Sequence, residues 1–434
     1  MTLTHLSVEN YRRLLVISPH PDDETLISAG LMQRILAQGG EVRVVITTNG
    51  DAQQTAPRKE FHHLMPRTAD YIKLGNMRQK EVVEGLGSLG VGDEDIYFLS
   101  YPDLGLSAMW AHYWDPSHPF RSSSTKARRS PYPRTFNPDS VYAGEHLYKD
   151  LVKIIDSYRP DLIIFTNSFD THPDHRAVAV YTRLALATVQ VRDPAFRADA
   201  YGTLVHRAKY PHPTGTHADL ELLPPPNLTR LGVDWLRVDL EPHQVTRKLS
   251  ALKDYRTQMG VMEDYLDAFG RKNELFSTLP VAHLPQLSQG NLKDPNSWQN
   301  THGAIVGLLD RSPKLDFYAD ELMPATDIVK TFAARTMDGS VWVAIKLRGK
   351  PRPFQHYHLG VMVIDGKGDL QYLNASNHAK GETALRVVLS GKYAVAQFPA
   401  ERLAEARYVF MGGLVSGPHS VVLDSSNWPL VRWP

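Results

Sequence analysis

The sequence predicts an α/β fold, a mostly parallel sheet flanked by helices, followed by a C-terminal antiparallel β-sandwich. From Arg13 to about Tyr210, short β-branched runs alternate with longer segments of helical spacing, the signature of a parallel sheet covered by helices. From about Ala304 that alternation gives way to short strands separated by Gly, Asp and Asn turns, as in a small sandwich. A chain of 434 residues holds two or three domains at about 150 residues each, and the change of pattern divides it into 1–300 and 301–434.

Leu14–Ser18 (LLVIS) reads as a first buried strand, with a loop and then a helix from about Thr25 to Gln38, stopped by Gly39-Gly40. Glu41–Thr48 is the second strand. A polar stretch, Gly50–Asn76, leads to a helix over Met77–Leu89, and Ile96–Ser100 is the third strand. Gly144–Ser157 has helical spacing, Leu162–Thr166 (LIIFT) is a fourth strand, and a further helix starts near His175. Val245–Tyr265 reads as one helix and Pro280–Asn300 as a linker. In the last third, strands are expected at Ser340–Leu347, His358–Ile364, Ala384–Leu389, Tyr408–Met411 and Val421–Leu423. Repeated βα units of this kind form a Rossmann-like, doubly wound sheet, where ligands gather at the carboxyl ends of the strands.

Composition narrows the chemistry. Lys+Arg 48 against Asp+Glu 47 gives no global attraction to polyanions, so nucleic acid is not an expected partner. The absence of cysteine excludes disulfides, thiolate metal sites and a cysteine nucleophile, leaving His, Asp and Glu as metal ligands. No signal-peptide run and no apolar stretch of about 18 residues is present, so a cytoplasmic protein is the expectation. Oligomeric state is left open, a homo-oligomer being compatible with the composition.

Two loops carry the chemistry. After the first strand comes Pro19-His20-Pro21-Asp22-Asp23-Glu24, one imidazole and three carboxylates in five positions. Like charges so close raise one another's pKa unless a cation sits between them, and a divalent metal supplies one. The alternative for this loop is an Asp-rich helix cap, with Asp22 and Asp23 as the capping oxygens. After the fourth strand comes Asp170-Thr171-His172-Pro173-Asp174-His175. In a doubly wound sheet the two loops meet at one rim, and two His with one carboxylate and an open position make a catalytic zinc site.

PHPDDE after an apolar strand, with HPDH well over a hundred residues later, resembles the PIG-L or LmbE-like family of zinc-dependent de-N-acetylases. The resemblance runs over Arg13–Phe276, with weaker echoes at Thr48-Asn-Gly, Arg78 with Glu81, Tyr101-Pro-Asp103, and Lys248–Gln258. It implies one Zn²⁺ per chain, held by His20, Asp23 and His175, with Fe²⁺ or another divalent ion also suited to such a donor set. It implies Asp22 as general base, His172 as stabiliser of the oxyanion, and Asp174 as the residue that orients or tunes His172. It implies Arg78 and Asp103 as substrate-binding residues, and an N-acetylglucosamine-type amino-sugar or glycoconjugate as substrate. Where some relatives carry a tyrosine two residues before the HPDH histidine, this chain has Asp170, which would add charge or bind a sugar hydroxyl.

Between Leu104 and Thr135 one acidic residue, Asp115, stands against Arg121, Lys126, Arg128, Arg129 and Arg134, interleaved with Trp110, Tyr113, Trp114, Phe120 and Tyr132. So long a connection suggests a lid or wall that stacks aromatics on a sugar, the alternative being a surface insertion. Two other functions remain on the same fold: a metallo-phosphoesterase, with Asp51, Asp103 or Asp170 holding a second metal, and a non-catalytic glycan-binding protein. His356, Tyr357 and His358 read as strand or turn residues rather than metal ligands.

Overall fold

The computed structural model describes residues 3–63, 65–207, 209–226, 228, 233–279, 281–282, 284, 286–287, 291–298, 305–308, 323–417 and 422–433. These fall into two compact units, 1–182 with 197–279, and 183–196 with 280–434. The expected boundary at 300/301, and Val421 of the last expected strand, lie outside the described residues.

The first unit is built on a sheet whose central strands, Arg13–Ser18 and Leu162–Thr166, are covered on both faces, which is why they read as apolar runs. In chain order the strands are β1 (Thr4–His5), β2 (Arg13–Ser18), β3 (Glu41–Thr48), β4 (Ile96–Tyr101), β5 (Leu162–Thr166), β6 (Asp199–Thr203), β7 (Trp235–Asp239) and β8 (Asn273–Ser277). They form one sheet in the order β1-β7-β8-β6-β5-β2-β3-β4. All pairings are parallel except those of β8 with β6 and β7. The helices are α1 (Asp23–Ala37), α2 (Thr55–Phe61), α3 (Thr68–Leu89), α4 (Leu106–Ala111), α5 (Gly144–Tyr158), α6 (Pro173–Arg192), α7 (Pro242–Leu252) and α8 (Arg256–Asp267). Leu14 and Val16 of β2, Leu26 and Leu31 of α1 and Ile164 of β5 share one core.

From β2 the chain winds outward through β3 to β4, then returns to place β5 on the other side of β2. The carboxyl ends of β2 and β5 therefore diverge at a topological switch point, where a crevice forms without any insertion. Both chemistry-bearing loops leave the sheet there.

Two expected helices differ for local reasons. Helix α3 begins at Thr68, not Met77; Asp70 accepts the Arg67 N–H (2.8 Å) and so ties the chain ahead of the helix to its first turn. The helix expected over Val245–Tyr265 is two, α7 and α8, because the chain turns at Tyr255 to send its hydroxyl under the site, to Glu24 (2.5 Å) and Thr25 (2.7 Å). Within α1, Glu274 of β8 accepts from Gly30 N (2.8 Å) and Leu31 N (2.9 Å), while Lys248 of α7 donates to the Leu26 carbonyl (2.7 Å) and to Glu274 (2.9 Å). This fully buried ion pair is wedged against the helix ladder, so Lys248 is a structural residue.

The second unit contains two sheets, antiparallel but for the short pairing of β9 with β11. Strands β9 (Gln286–Leu287), β10 (Ile305–Leu308), β11 (Ile328–Thr336), β12 (Val341–Leu347), β15 (Val388–Ser390) and β16 (Tyr393–Phe398) make one. Strands β13 (His356–Asp365), β14 (Leu370–Ser376), β17 (Ala406–Ser416), β18 (Val422–Ser425) and β19 (Leu430–Arg432) make the other. Val343 and Ile345 of the first sheet and Leu359, Val361 and Met411 of the second lie in one apolar core, the arrangement of a sandwich.

No helix among the described residues is long and apolar enough to cross a membrane.

Candidate metal and active site

The β2 loop is fixed before any ligand is considered. Thr48, at the end of β3, gives both its N–H and its hydroxyl to the Pro19 carbonyl (2.9 Å each), and Ser18 donates to the His20 carbonyl (3.0 Å). Asp22 then takes φ 104° as it enters α1, a conformation that costs a non-glycine residue energy and persists only where surroundings enforce it. Glu24 is part of that enforcement, accepting from the Asp22 N–H (3.1 Å) while held by Tyr255. Asp22 makes no side-chain cap bond at the head of α1, so the helix-cap alternative does not describe it.

On the β5 side, Thr166 donates to the His175 carbonyl (2.9 Å). Asp170 accepts from His172 N (2.8 Å) through one oxygen and from Val205 N (3.0 Å) and His206 N (2.8 Å) through the other. That second oxygen also lies 3.2 Å from His175 Nδ1. Asp170 therefore orients a histidine, a carboxylate behind a ligand, where the sequence suggested added charge or a sugar contact.

The two loops converge. His20 Nδ1, Asp23 Oδ2 and His175 Nε2 form a triangle with sides of 3.1, 3.2 and 3.2 Å. Donors about 2.0–2.1 Å from a tetrahedral ion stand roughly 3.3 Å apart, so the triangle has the dimensions of three metal ligands. The charges agree. Burial alone would depress His20 and His175, yet Asp103, Asp174 and Asp23 raise His20 well above its usual value, and Asp23 with Asp170 hold His175 at about 9. Burial would raise Asp23, but His175 and His20 keep it well below the carboxylate range. The cluster demands positive charge at its centre, and a divalent cation replaces protons on such ligands. The donors present fit a metal, and in the first unit they sit among the wider groups His20–His172–His175, Asp23–His175–His206 and His20–Asp103–Asp174.

The far nitrogen of His20 faces Asp103 at 3.2 Å and Asp174 at 3.6 Å. This changes two expectations. Asp174 does not orient His172 with its carboxylate; it accepts from Leu104 N (2.6 Å) and Leu106 N (3.2 Å) and stands behind His20. The contact with His172 is made by the Asp174 backbone N–H, which donates to His172 Nδ1 (3.3 Å). Asp103 lines the cavity but spends its oxygens on His20 and on the Ala52 N–H (2.8 Å).

Arg78 likewise lines the cavity while donating to the carbonyls of Gly50 and Pro21 (2.8 Å each), and its guanidinium lies 3.7 Å from Asp22. It builds the β2 loop before it can meet a substrate. Burial and the neighbouring Asp23 push Asp22 up to about 7, against Arg78 and His20. Burial, then His20 and His175, hold His172 well below the usual imidazole value, so it is neutral. Asp51 takes the Tyr132 hydroxyl through one oxygen and Asp170 faces His175, and neither belongs to a metal-capable group among the described residues.

The site opens onto a cavity of about 270 Å³, with Asp22, Arg78, His172 and His206 among its polar lining and Leu26, Leu104 and Met262 among its apolar lining. His206 and Tyr265 were not anticipated, while Gln258, on the same cavity, closes the Lys248–Gln258 segment named above. His206 follows β6, whose sequence DAYGT carries little strand signal, and it stacks on Tyr265 with ring centroids 5.6 Å apart at 5°. The basic aromatic stretch does not supply a stacking wall: Leu104 is its one residue on the cavity. Trp110 and Trp114 pack instead with Tyr181 and Tyr148, and Tyr113 with Phe120.

Residues 15–186 match the family described as PIG-L, GlcNAc-PI de-N-acetylase. The chain is 30% identical over 189 residues to a 1D-myo-inositol 2-acetamido-2-deoxy-alpha-D-glucopyranoside deacetylase of Kribbella flavida, covering 42% of this chain and 57% of the relative. A protein of the same description from Actinosynnema mirum is 27% identical over 261 residues, covering 58% and 82%. A third, from Rhodococcus opacus, is 33% identical over 173 residues and 49% of its own length. The chain thus spans about half the length of several relatives it matches. Among solved structures, the N,N'-diacetylchitobiose deacetylase of Pyrococcus horikoshii is 20% identical with a TM-score of 0.38, covering 62% of this chain and 85% of that one. The β2 and β5 loops, with the donor triangle between them, lie inside the matched segment: the chain carries a PIG-L family domain over residues 15–186.

Proposed function

We propose that this protein is a metal-dependent N-deacetylase, removing the acetyl group from an N-acetylglucosamine-type amino-sugar, with one zinc ion held by His20, Asp23 and His175. The observation that carries the reading is the triangle of donor atoms at the switch point, flanked on the cavity side by Asp22 and His172. The names of the relatives supply the substrate class. Zinc in such a site polarises a carbonyl and lowers the pKa of a water to about 7.

The chain's own residues supply the rest. Asp22, next in sequence to a ligand and bordering the cavity, accepts a proton from the attacking water and returns it to the departing nitrogen. His172 accepts from Asp174 N at Nδ1, so its own proton is on Nε2. That N–H is a donor for the carbonyl oxygen as negative charge develops there. Asp103 and Asp170 hold His20 and His175 in place from behind. A cavity of about 270 Å³ is near the lower end of small-ligand pockets and suits one sugar ring with its acetamido group.

The test is acetate release from N-acetylglucosamine glycosides and oligosaccharides by metal-stripped protein reconstituted with one zinc per chain. Release that requires metal, and is abolished by Asp22→Asn with metal still bound, supports the reading. Silence across the panel with zinc demonstrably bound overturns it.

A further inference from the structure

An amide presents a carbonyl oxygen, which needs a donor, and an N–H, which needs an acceptor. His172 serves the first, and in the motif only Asp22, already engaged by the attacking water, offers an acceptor to the second. His206 lies outside the segment matched to the family, yet its ring borders those of both His175 (4.8 Å) and His172 (5.5 Å) and it lines the cavity.

Its tautomer follows from its partners. The Tyr265 hydroxyl gives its one proton to the Val205 carbonyl (2.7 Å). The same oxygen lies 3.2 Å from His206 Nδ1, so it can only accept there, and Nδ1 carries the hydrogen. With the single ring hydrogen on Nδ1, Nε2 is an acceptor. The Asp170 bond to the His206 N–H (2.8 Å) fixes the backbone under it, and the stacked Tyr265 ring fixes the imidazole plane. His172 and His206 thus stand side by side in opposite tautomers, one donating from Nε2 and one accepting at Nε2.

We propose that His206 accepts the N–H of the scissile amide, with Tyr265 setting its tautomer, so that two imidazoles read the two ends of one amide bond. The inference rests on the deacetylase reading: beside a carbonyl taken by His172, the remaining polar group of the amide is its N–H, and His206 Nε2 offers an acceptor to it on the cavity wall.

The test compares methyl N-acetylglucosaminide with methyl 2-O-acetylglucoside, in which an ester oxygen replaces the N–H, as substrates of zinc-loaded wild type, His206→Phe, His206→Gln and Tyr265→Phe, with metal content measured for each. His206→Phe is expected to lower kcat/KM for the amide about 10- to 100-fold and for the ester less than about threefold, as a lost hydrogen bond to one substrate atom requires. His206→Gln, which keeps an acceptor, recovers part of the amide activity. Tyr265→Phe lowers the amide rate selectively, and its effect is not additive with that of His206→Phe. Equal losses on both substrates, or an unchanged amide rate, overturn the inference while leaving the deacetylase reading intact. Loss of zinc from the His206 variants overturns it by making His206 a ligand. A wild type inert on both substrates with zinc bound defeats the underlying reading as well.

Discussion

Asp170→Asn separates two jobs that one buried carboxylate does at the candidate metal site. One Asp170 oxygen accepts the His172 N–H; the other accepts those of Val205 and His206 and faces His175 Nδ1 at 3.2 Å. Asparagine has one oxygen. Its better placement keeps that oxygen toward Val205, His206 and His175, leaving the His172 N–H opposite an NH₂ group. A buried donor left without a partner costs about 1–3 kcal/mol, so the metal-free variant should unfold at a lower temperature. His175 retains a neutral acceptor behind it in place of an anion. Substitutions behind a metal ligand weaken metal binding by about 10- to 100-fold, which is roughly 1.4–2.8 kcal/mol. Competition with a chelator of known affinity measures the second effect, and thermal unfolding of the metal-free protein measures the first. A folded variant whose zinc affinity stays within about twofold of wild type would refute the assignment of Asp170 as the residue that orients His175.

Gly50 has φ +61°, and a Cβ there would fall 1.7 Å from Arg78 Nη1; Gly50→Ala should expel the guanidinium from Pro21 and Asp22 and lower kcat together with thermal stability, whereas a wild-type rate would show that Arg78 does not hold the β2 loop. Lys248→Met leaves Glu274 buried without its cation and should cost about 3–5 kcal/mol, measured by denaturant unfolding; adding Glu274→Gln should cost less than the sum of the two single changes. Burial, then Asp103, push Asp51 up to about 7, so the folded state holds that proton more tightly than the unfolded chain does. Its contribution is present below about pH 4 and is lost as pH rises through 7. Asp51→Asn, which keeps an acceptor for Tyr132, should therefore gain stability relative to wild type between pH 4 and pH 8, and parallel unfolding curves across that range would contradict it.

Much of the first unit was legible because β2 and β5 are apolar runs bounded by polar loops, and those loops hold both motifs. Adjacency in sequence located His20, Asp22, Asp23, His172 and His175, which the structure brings together. It did not reveal which atoms those residues face. The family resemblance makes Asp174 the residue that orients or tunes His172, but the positive φ of Leu104 turns the β4 loop so that its N–H groups capture the carboxylate. The aromatics near Trp110 resemble a sugar platform in sequence. With α4 and α5 packed beside β4, their larger gain is burial on Tyr148 and Tyr181. Arg78 and Lys248 illustrate the same limit: a cation on a helix reads as solvated until a facing carbonyl or carboxylate, here Gly50 and Pro21 or Glu274, is known.

Seven carboxylates gather near this site, and their partners separate their roles. Asp23 is the one whose oxygen completes the donor triangle. Asp103 and Asp174 stand behind His20, Asp170 behind His175, and Glu24 and Asp51 are tied to Tyr255 and Tyr132. Only Asp22 combines a place on the cavity with a side chain that makes no cap bond and meets Arg78 no closer than 3.7 Å. Its strained φ is what frees it: in an ordinary extended N-cap conformation the carboxylate would turn onto the N–H groups of α1, and the site would have ligands without a base. The Glu24–Tyr255 support beneath the loop is therefore as much a part of the proposed chemistry as the residues that face the cavity.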